Sequence, residues 1–208
     1  MSTLLHIDSS PRSKRSHSRR LAAEFSEEWR KRDASHIVTH RDLGVDPVPH
    51  VTEAWVEGVY APVELHTEAA KSAMSLSDLL IQELIDADFL LISSPMYNLS
   101  ITSTLKAYLD QVIRPGRTFV MEAGELRGLL SDKKTVVVTS RGGMYAPGTP
   151  SASYDYQEPY LRAVLGGIGI RDVSFINAEG MDWSDEQRQS AYKISRQRIA
   201  DVLKQWDK

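Results

Sequence analysis

Three short stretches of this 208-residue chain carry residues suited to holding a ligand. The first is Ser9 to Ser18, SSPRSKRSHS, with five serines, Pro11 and the cations Arg12, Lys14 and Arg15. Hydroxyls, free backbone N–H groups and the dipole of a following helix favour an anion there, and a terminal phosphate is the natural guest. A solvated basic turn whose serines cap a helix would use the same residues. The stretch contains neither G-x-G-x-x-G nor G-x-x-x-x-G-K-[ST]. A monophosphate held by side-chain hydroxyls therefore fits better than a dinucleotide or a nucleoside triphosphate.

The second stretch is Ser93 to Lys106, SSPMYNLSITSTLK. Pro95 has no N–H and ends a strand ladder. Met96 and Tyr97 place bulky apolar groups where a flat aromatic ligand would pack, although they would equally cover the end of a core. Asn98 tolerates unusual backbone angles and offers a polar side chain. The third stretch is Ser140 to Gly148, SRGGMYAPG. Adjacent glycines at a strand end let backbone approach a ligand closely, so Gly142 and Gly143 are candidate N–H donors to a ring edge. A plain tight turn is the alternative.

The elements that must position these loops alternate. Apolar runs at Thr3–Asp8, Ile37–Thr39, Asp88–Ser93, Lys134–Ser140 and Arg171–Ala178 read as strands. Between them, Ser16–Arg32, Thr67–Ala87, Ile101–Ile113, Tyr156–Ile168 and Ser184–Trp206 carry apolar residues at helical spacing. The prolines between Asp42 and Pro62 predict mostly loop, and Arg114 to Asp132 reads as irregular and Gly-rich. The alternation predicts one α/β domain over residues 1–208 with a parallel sheet. Five strands suggest the flavodoxin-like order 2-1-3-4-5, with helices on both faces. Ligands of such sheets lie beyond the carboxyl ends of the strands at the switch in order, where the three stretches would converge.

Composition narrows the function. A net charge of −3 gives no electrostatic case for nucleic acid or an acidic membrane surface. The absence of cysteine excludes a disulfide scaffold, a thiol nucleophile and thiolate metal sites, and fits a cytoplasmic home. No run reaches the roughly 18 apolar residues of a membrane span. The start reads as a strand rather than a signal peptide, so the Asn98-Leu99-Ser100 sequon is read as chance. His36 and His40, four apart with no obvious carboxylate partner, make a weak metal candidate. No G-x-S-x-G elbow supports a serine hydrolase, and Ser93-Ser94-Pro95 stands where a response regulator needs an aspartate.

Ser9-Ser10-Pro11, Ser16-His17-Ser18, Pro95-Met96-Tyr97-Asn98 and Thr139-Ser140-Arg141-Gly142-Gly143 occur in the order and spacing of a known family. The chain resembles, over nearly its whole length, the FMN-dependent NADH-azoreductases, also described as FMN-dependent NADH:quinone oxidoreductases. The resemblance implies a homodimer with one FMN per subunit near the interface. It implies that Ser10, Ser16, His17 and Ser18 surround the FMN phosphate. It also implies that Pro95, Met96, Tyr97, Asn98 and Leu99, with Ser140, Arg141, Gly142 and Gly143, line the ring. Phe119, in a segment that resembles the family's reach toward the partner subunit, is a candidate wall of the substrate pocket. Leu99 and His17 depart from the family, where Phe and Gln or another polar residue are common. The implied activity passes electrons from NADH through FMN to quinones and azo compounds by a ping-pong scheme. No side chain is assigned as a catalytic acid or base, and no metal is expected. A flavodoxin-type electron carrier without its own NADH reaction is the rival, although such carriers are usually strongly acidic.

Overall fold

The computed structural model describes residues 1–206. Its central sheet has five parallel strands in the order β2-β1-β3-β6-β7. The strands are β1 (Thr3–Asp8), β2 (Ile37–Asp42), β3 (Phe89–Pro95), β6 (Lys134–Ser140) and β7 (Val173–Ala178). Counted within that sheet alone, this is the flavodoxin-like order 2-1-3-4-5. Neighbouring residues on the inner strands point to opposite faces, and both faces are covered, which explains the unbroken apolar runs. Leu4, Leu91, Val136 and Val138 pack under α1 (His17–Lys31) and α6 (Asp185–Trp206), against Phe25, Trp29, Ile199 and Leu203. Leu5, Leu90, Ile92 and Val137 pack under α3 (Glu68–Asp86), α4 (Ser103–Val112) and α5 (Glu158–Gly167), against Leu80, Leu84, Leu109 and Leu165. Among the described residues no helix is long and apolar enough to cross a membrane.

Two segments differ from the sequence expectation. The stretch read as mostly loop after Asp42 contains α2 (Glu53–Tyr60). Pro47 and Pro49 precede this helix and do not interrupt it, and Thr52 caps it by accepting from the Trp55 N–H at 3.3 Å. The stretch read as irregular holds an antiparallel hairpin of β4 (Phe119–Glu122) and β5 (Glu125–Gly128). Ala123 (φ 53°) and Gly124 (φ 85°) make its two-residue turn, with both φ values positive as a type I′ hairpin requires. Ala-Gly is a weaker turn signal than Asn-Gly, and the hairpin passed as loop.

Register places the three loops together. Asp8 pairs with Ser93, and Pro95 with Ser140, so β1, β3 and β6 end side by side at one edge. The hairpin lies elsewhere: Gly128, the partner of Phe119, packs against Gly169, just ahead of β7 at the opposite edge.

Candidate functional site

The loop after β1 is fixed from both sides. Ser9 donates to the Ser93 carbonyl through its N–H (3.0 Å) and its Oγ (2.9 Å), and Thr104 Oγ1 donates to the Ser9 carbonyl at 2.8 Å. Arg19 grips the Ser10 carbonyl with Nε (3.0 Å) and Nη2 (2.6 Å), while its guanidinium is held by Asp42 and, at 3.3 Å, by Asp8. Arg19 holds the Asp42 carboxyl below the usual carboxylate range. Burial pushes the Asp8 carboxyl up, but His40, His6 and Arg19 outweigh burial and keep it ionised. Gly44 presses against this clamp, since a Cβ there would fall on the Ser10 carbonyl oxygen. Sequence reasoning missed Arg19, Asp42, Gly44 and Thr104, because they contact the loop's backbone and carry no motif of their own.

The predicted anion residues gather where α1 begins. Ser16 is its N-cap, accepting from the Arg19 N–H at 3.4 Å, and Ser16 Oγ lies 3.3 Å from Ser18 Oγ. Ser10, Ser16 and Ser18 are buried. Ser10 Oγ accepts the Arg12 N–H at 3.2 Å, curling the loop back on itself. Arg12, Lys14 and Arg15 line an adjoining cavity of about 300 Å³. His17 Nδ1 lies 2.7 Å from the Tyr192 hydroxyl. Burial lowers its pKa, and Arg188, Arg12 and Arg20 add to the effect against Asp182. A helix N-terminus, buried hydroxyls and loose cations suit a phosphate.

The loop after β3 is a strained turn. The Tyr97 N–H donates to the Ser100 carbonyl (3.0 Å), and the Ser100 N–H returns the bond (3.1 Å). Between them Asn98 (φ 48°) and Leu99 (φ 72°) both adopt the left-handed region. Asn accepts that conformation readily, whereas Leu pays for it, and such strain persists where surrounding structure enforces it. Here the Met96 N–H donates to the Ser140 carbonyl at 2.9 Å, and the Leu99 carbonyl accepts from the Tyr156 N–H at 3.1 Å. Pro95 is buried under the turn, Met96 and Leu99 are half-buried, and Tyr97 and Asn98 are exposed. This geometry disfavours reading Tyr97 as simple core cover.

The loop after β6 separates a clamp from a backbone face. Arg141 is 1% exposed and turns inward, with Nη1 at 2.9 Å from Asp155 and 3.2 Å from Glu179, and Nε donating to Gln157 at 3.1 Å. Glu179 in turn accepts the Tyr145 and Ala146 N–H groups at 3.0 and 3.2 Å. Only the backbone of Arg141 is thus placed to line a ligand; its charge is spent on the loop. Gly142 and Gly143 use their carbonyls to accept from the N–H groups of Asp182 and Gly180. Among the described residues neither glycine N–H has a hydrogen-bond partner. A Cβ on Gly142 would collide with the Asp182 carboxylate. Two consecutive free donors beside a phosphate-type loop fit a flat heteroaromatic ring with polar edge atoms and a terminal phosphate, as in FMN. Phe119 starts the hairpin, whose Gly128 packs against Gly169 at the other edge, away from the three loops.

The order of the sheet, with the three loops at its carboxyl edge, defines a flavodoxin-like protein. Residues 2–203 match the family described as flavodoxin-like fold. An FMN-dependent NADH:quinone oxidoreductase of Nostoc sp. is 49% identical over 207 residues, covering 99% of this chain and 100% of that protein. One of the same name from Azotobacter vinelandii is 45% identical, covering 97% and 100%. Among solved structures, an azoreductase of Bacillus anthracis superposes with a TM-score of 0.90 at 23% identity, covering 98% of this chain and 99% of that one. A B. anthracis FMN-dependent NADH-azoreductase in complex with FMN superposes at 0.86 and 23% identity, covering 97% and 99%. At that identity the two structures speak for the fold. The chain belongs to the family of FMN-dependent NADH:quinone oxidoreductases, within the flavodoxin-like fold.

Proposed function

We propose that this protein is an FMN-dependent NADH:quinone oxidoreductase that also reduces azo compounds. The observation that carries the reading is the meeting, at one sheet edge, of a serine-lined helix N-terminus and two glycine N–H groups without protein partners. When bound, FMN supplies the redox chemistry, taking electrons from NADH and giving them to the acceptor. Ser10, Ser16 and Ser18 hold the phosphate, and His17, fixed through Nδ1 to Tyr192, offers Nε2 to it. Met96, Tyr97, Asn98 and Leu99 form one wall of the ring slot, and the backbone of Ser140 to Gly143 forms the other, donating N–H groups to the ring's polar edge. No side chain serves as acid or base, and the acceptor takes its protons from solvent. NADH and acceptor use the same face in turn, which gives ping-pong kinetics.

The working unit we infer is a cytoplasmic homodimer, in which Phe119 serves the pocket of the partner subunit. The position of the hairpin away from its own chain's site supports that assignment. So does the exposed apolar group of Tyr60, Val63 and Leu65 beside α2. The electron-carrier alternative shares the fold, but relatives at 45–49% identity over nearly the full chain carry an oxidoreductase name. Steady-state assays decide between them. Protein reconstituted with FMN should oxidise NADH only as fast as a quinone is supplied, with parallel double-reciprocal lines. Absence of NADH oxidation would leave a carrier, and intersecting lines would replace the shared site with a ternary complex.

A further inference from the structure

A second cluster of ligand-type side chains lies away from the three loops. His6 and Asp8 are two apart on β1 and therefore share a face, and His40 stands opposite His6 in the β1–β2 register. The His40 Nε2 lies 2.9 Å from Asp8 Oδ2, and the His6 Nε2 lies 3.5 Å from Asp8 Oδ1. One ligand atom from each of the three residues can be chosen so that all lie within 4.8 Å of one another. Tetrahedral coordination with bonds of about 2.0–2.1 Å puts ligand atoms about 3.3 Å apart, close to these separations.

The cluster is left incomplete by the protein. His6 and Asp8 are 6% and 5% exposed, yet His6 Nε2 and Asp8 Oδ1 meet only at 3.5 Å, too long for a good hydrogen bond, and have no other partner among the described residues. Two buried polar atoms facing each other without a bond are costly unless something lies between them. They line a cavity of about 390 Å³ with His40, Ser26, Glu27 and Arg30. His40 is half-exposed and gives solvent access. Arg19 reaches Asp8 only through Oδ2 and is gripped chiefly by Asp42, so Oδ1 remains available.

We propose that His6, Asp8 and His40 bind one late first-row divalent cation, with Zn²⁺ as the reference ion. Two imidazoles and one carboxylate select such borderline ions over Mg²⁺ or Ca²⁺, which prefer oxygen shells. The fourth position is open to water or to the Glu27 carboxylate, which lines the same cavity. The motif hidden in the sequence is His-x-Asp on one strand and a histidine at the matching register of its parallel neighbour. Its parts are separated by 32 residues, so spacing along the chain gave His40 only the unrelated His36 as a partner.

The FMN-loaded protein, stripped of metal with a chelator and dialysed, is titrated with Zn²⁺ by calorimetry. One saturable site per chain is expected. His40→Gln and His6→Gln should each weaken it by about tenfold or more, and His36→Gln, a histidine stacked on Trp29, should not. Co²⁺ in the wild-type site should give the intense visible bands of a four-coordinate ion, lost in His40→Gln. His40 is half-exposed, so that variant folds, which circular dichroism verifies. No saturable binding, or equal binding in wild type and His40→Gln, would overturn the proposal and leave Asp8 simply flanked by two histidines. The readout is metal binding, so its failure would not bear on the flavin assignment.

Discussion

Gly44 lies outside the three loops, yet its missing side chain leaves room for the Ser10 carbonyl that Arg19 holds. Gly44→Ala forces that backbone to move, and such shifts cost about 1–3 kcal/mol. FMN affinity should fall by about tenfold or more, read by fluorescence quenching of the free flavin. Gly148→Ala is the control: its φ of +89° strains an alanine, but nothing lies within 4 Å of the added carbon, so stability drops slightly and affinity holds. Leu99 makes the converse case. Its left-handed backbone costs an L-residue about 1–2 kcal/mol, so Leu99→Gly should retain stability despite the lost side chain. The KM for quinone should change, and FMN affinity should fall less than in Gly44→Ala.

His17 gives a pH signature to the FMN-free protein. The groups facing it are Tyr192 and Arg188 from α6, Asp182 from the preceding turn, and Arg12 and Arg20 from its own loop and helix. Burial and the net cationic surroundings lower its pKa from the ordinary 6.5. The folded protein therefore binds this proton less readily than the unfolded chain. Its contribution to stability is present above 6.5 and is lost as pH falls through the lowered folded value. His17→Gln should flatten the fall in Tm as pH drops below about 6.5. An unchanged slope would assign that fall to other groups.

At the scale of elements, the clamp around Arg141 holds the loop after β6 to the one before α5. Removing Arg141 leaves Asp155 and Glu179 without their buried cation, a change that costs about 3–5 kcal/mol in such settings. Urea unfolding of Arg141→Met should show a loss of that order, and Arg141→Lys should recover only part of it, because an ammonium cannot span Asp155, Glu179 and Gln157 together. The five strands and their flanking helices were legible because each carries an unbroken apolar run or a 3.6-residue stripe. Helix α2 and the hairpin were not, since prolines before Thr52 and glycines around Ala123 mimic loop composition. The three site loops were legible as strand ends with hydroxyls, Pro95 and paired glycines. The inward turn of the Arg141 side chain was not legible, because adjacency to Gly142 says nothing about which way a side chain turns. Arg19 and Asp42 were silent because their partner is a carbonyl.

For the whole molecule, a second copy of the chain and a bound flavin are what the function calls for beyond one chain. Tyr60 and Leu65 are 75% and 69% exposed beside α2, an apolar group that a second copy would cover. The double variant Tyr60→Glu with Leu65→Glu should elute at half the apparent mass of the wild type in size-exclusion chromatography with light scattering. A wild-type monomer would remove the dimer and with it the role of Phe119. Visible absorption of the purified protein under nitrogen tests the flavin directly. A flavin band should disappear with one equivalent of NADH and return when a quinone is added. A protein that stays colourless after incubation with FMN, or whose flavin band is indifferent to NADH, would not be an FMN-dependent NADH:quinone oxidoreductase.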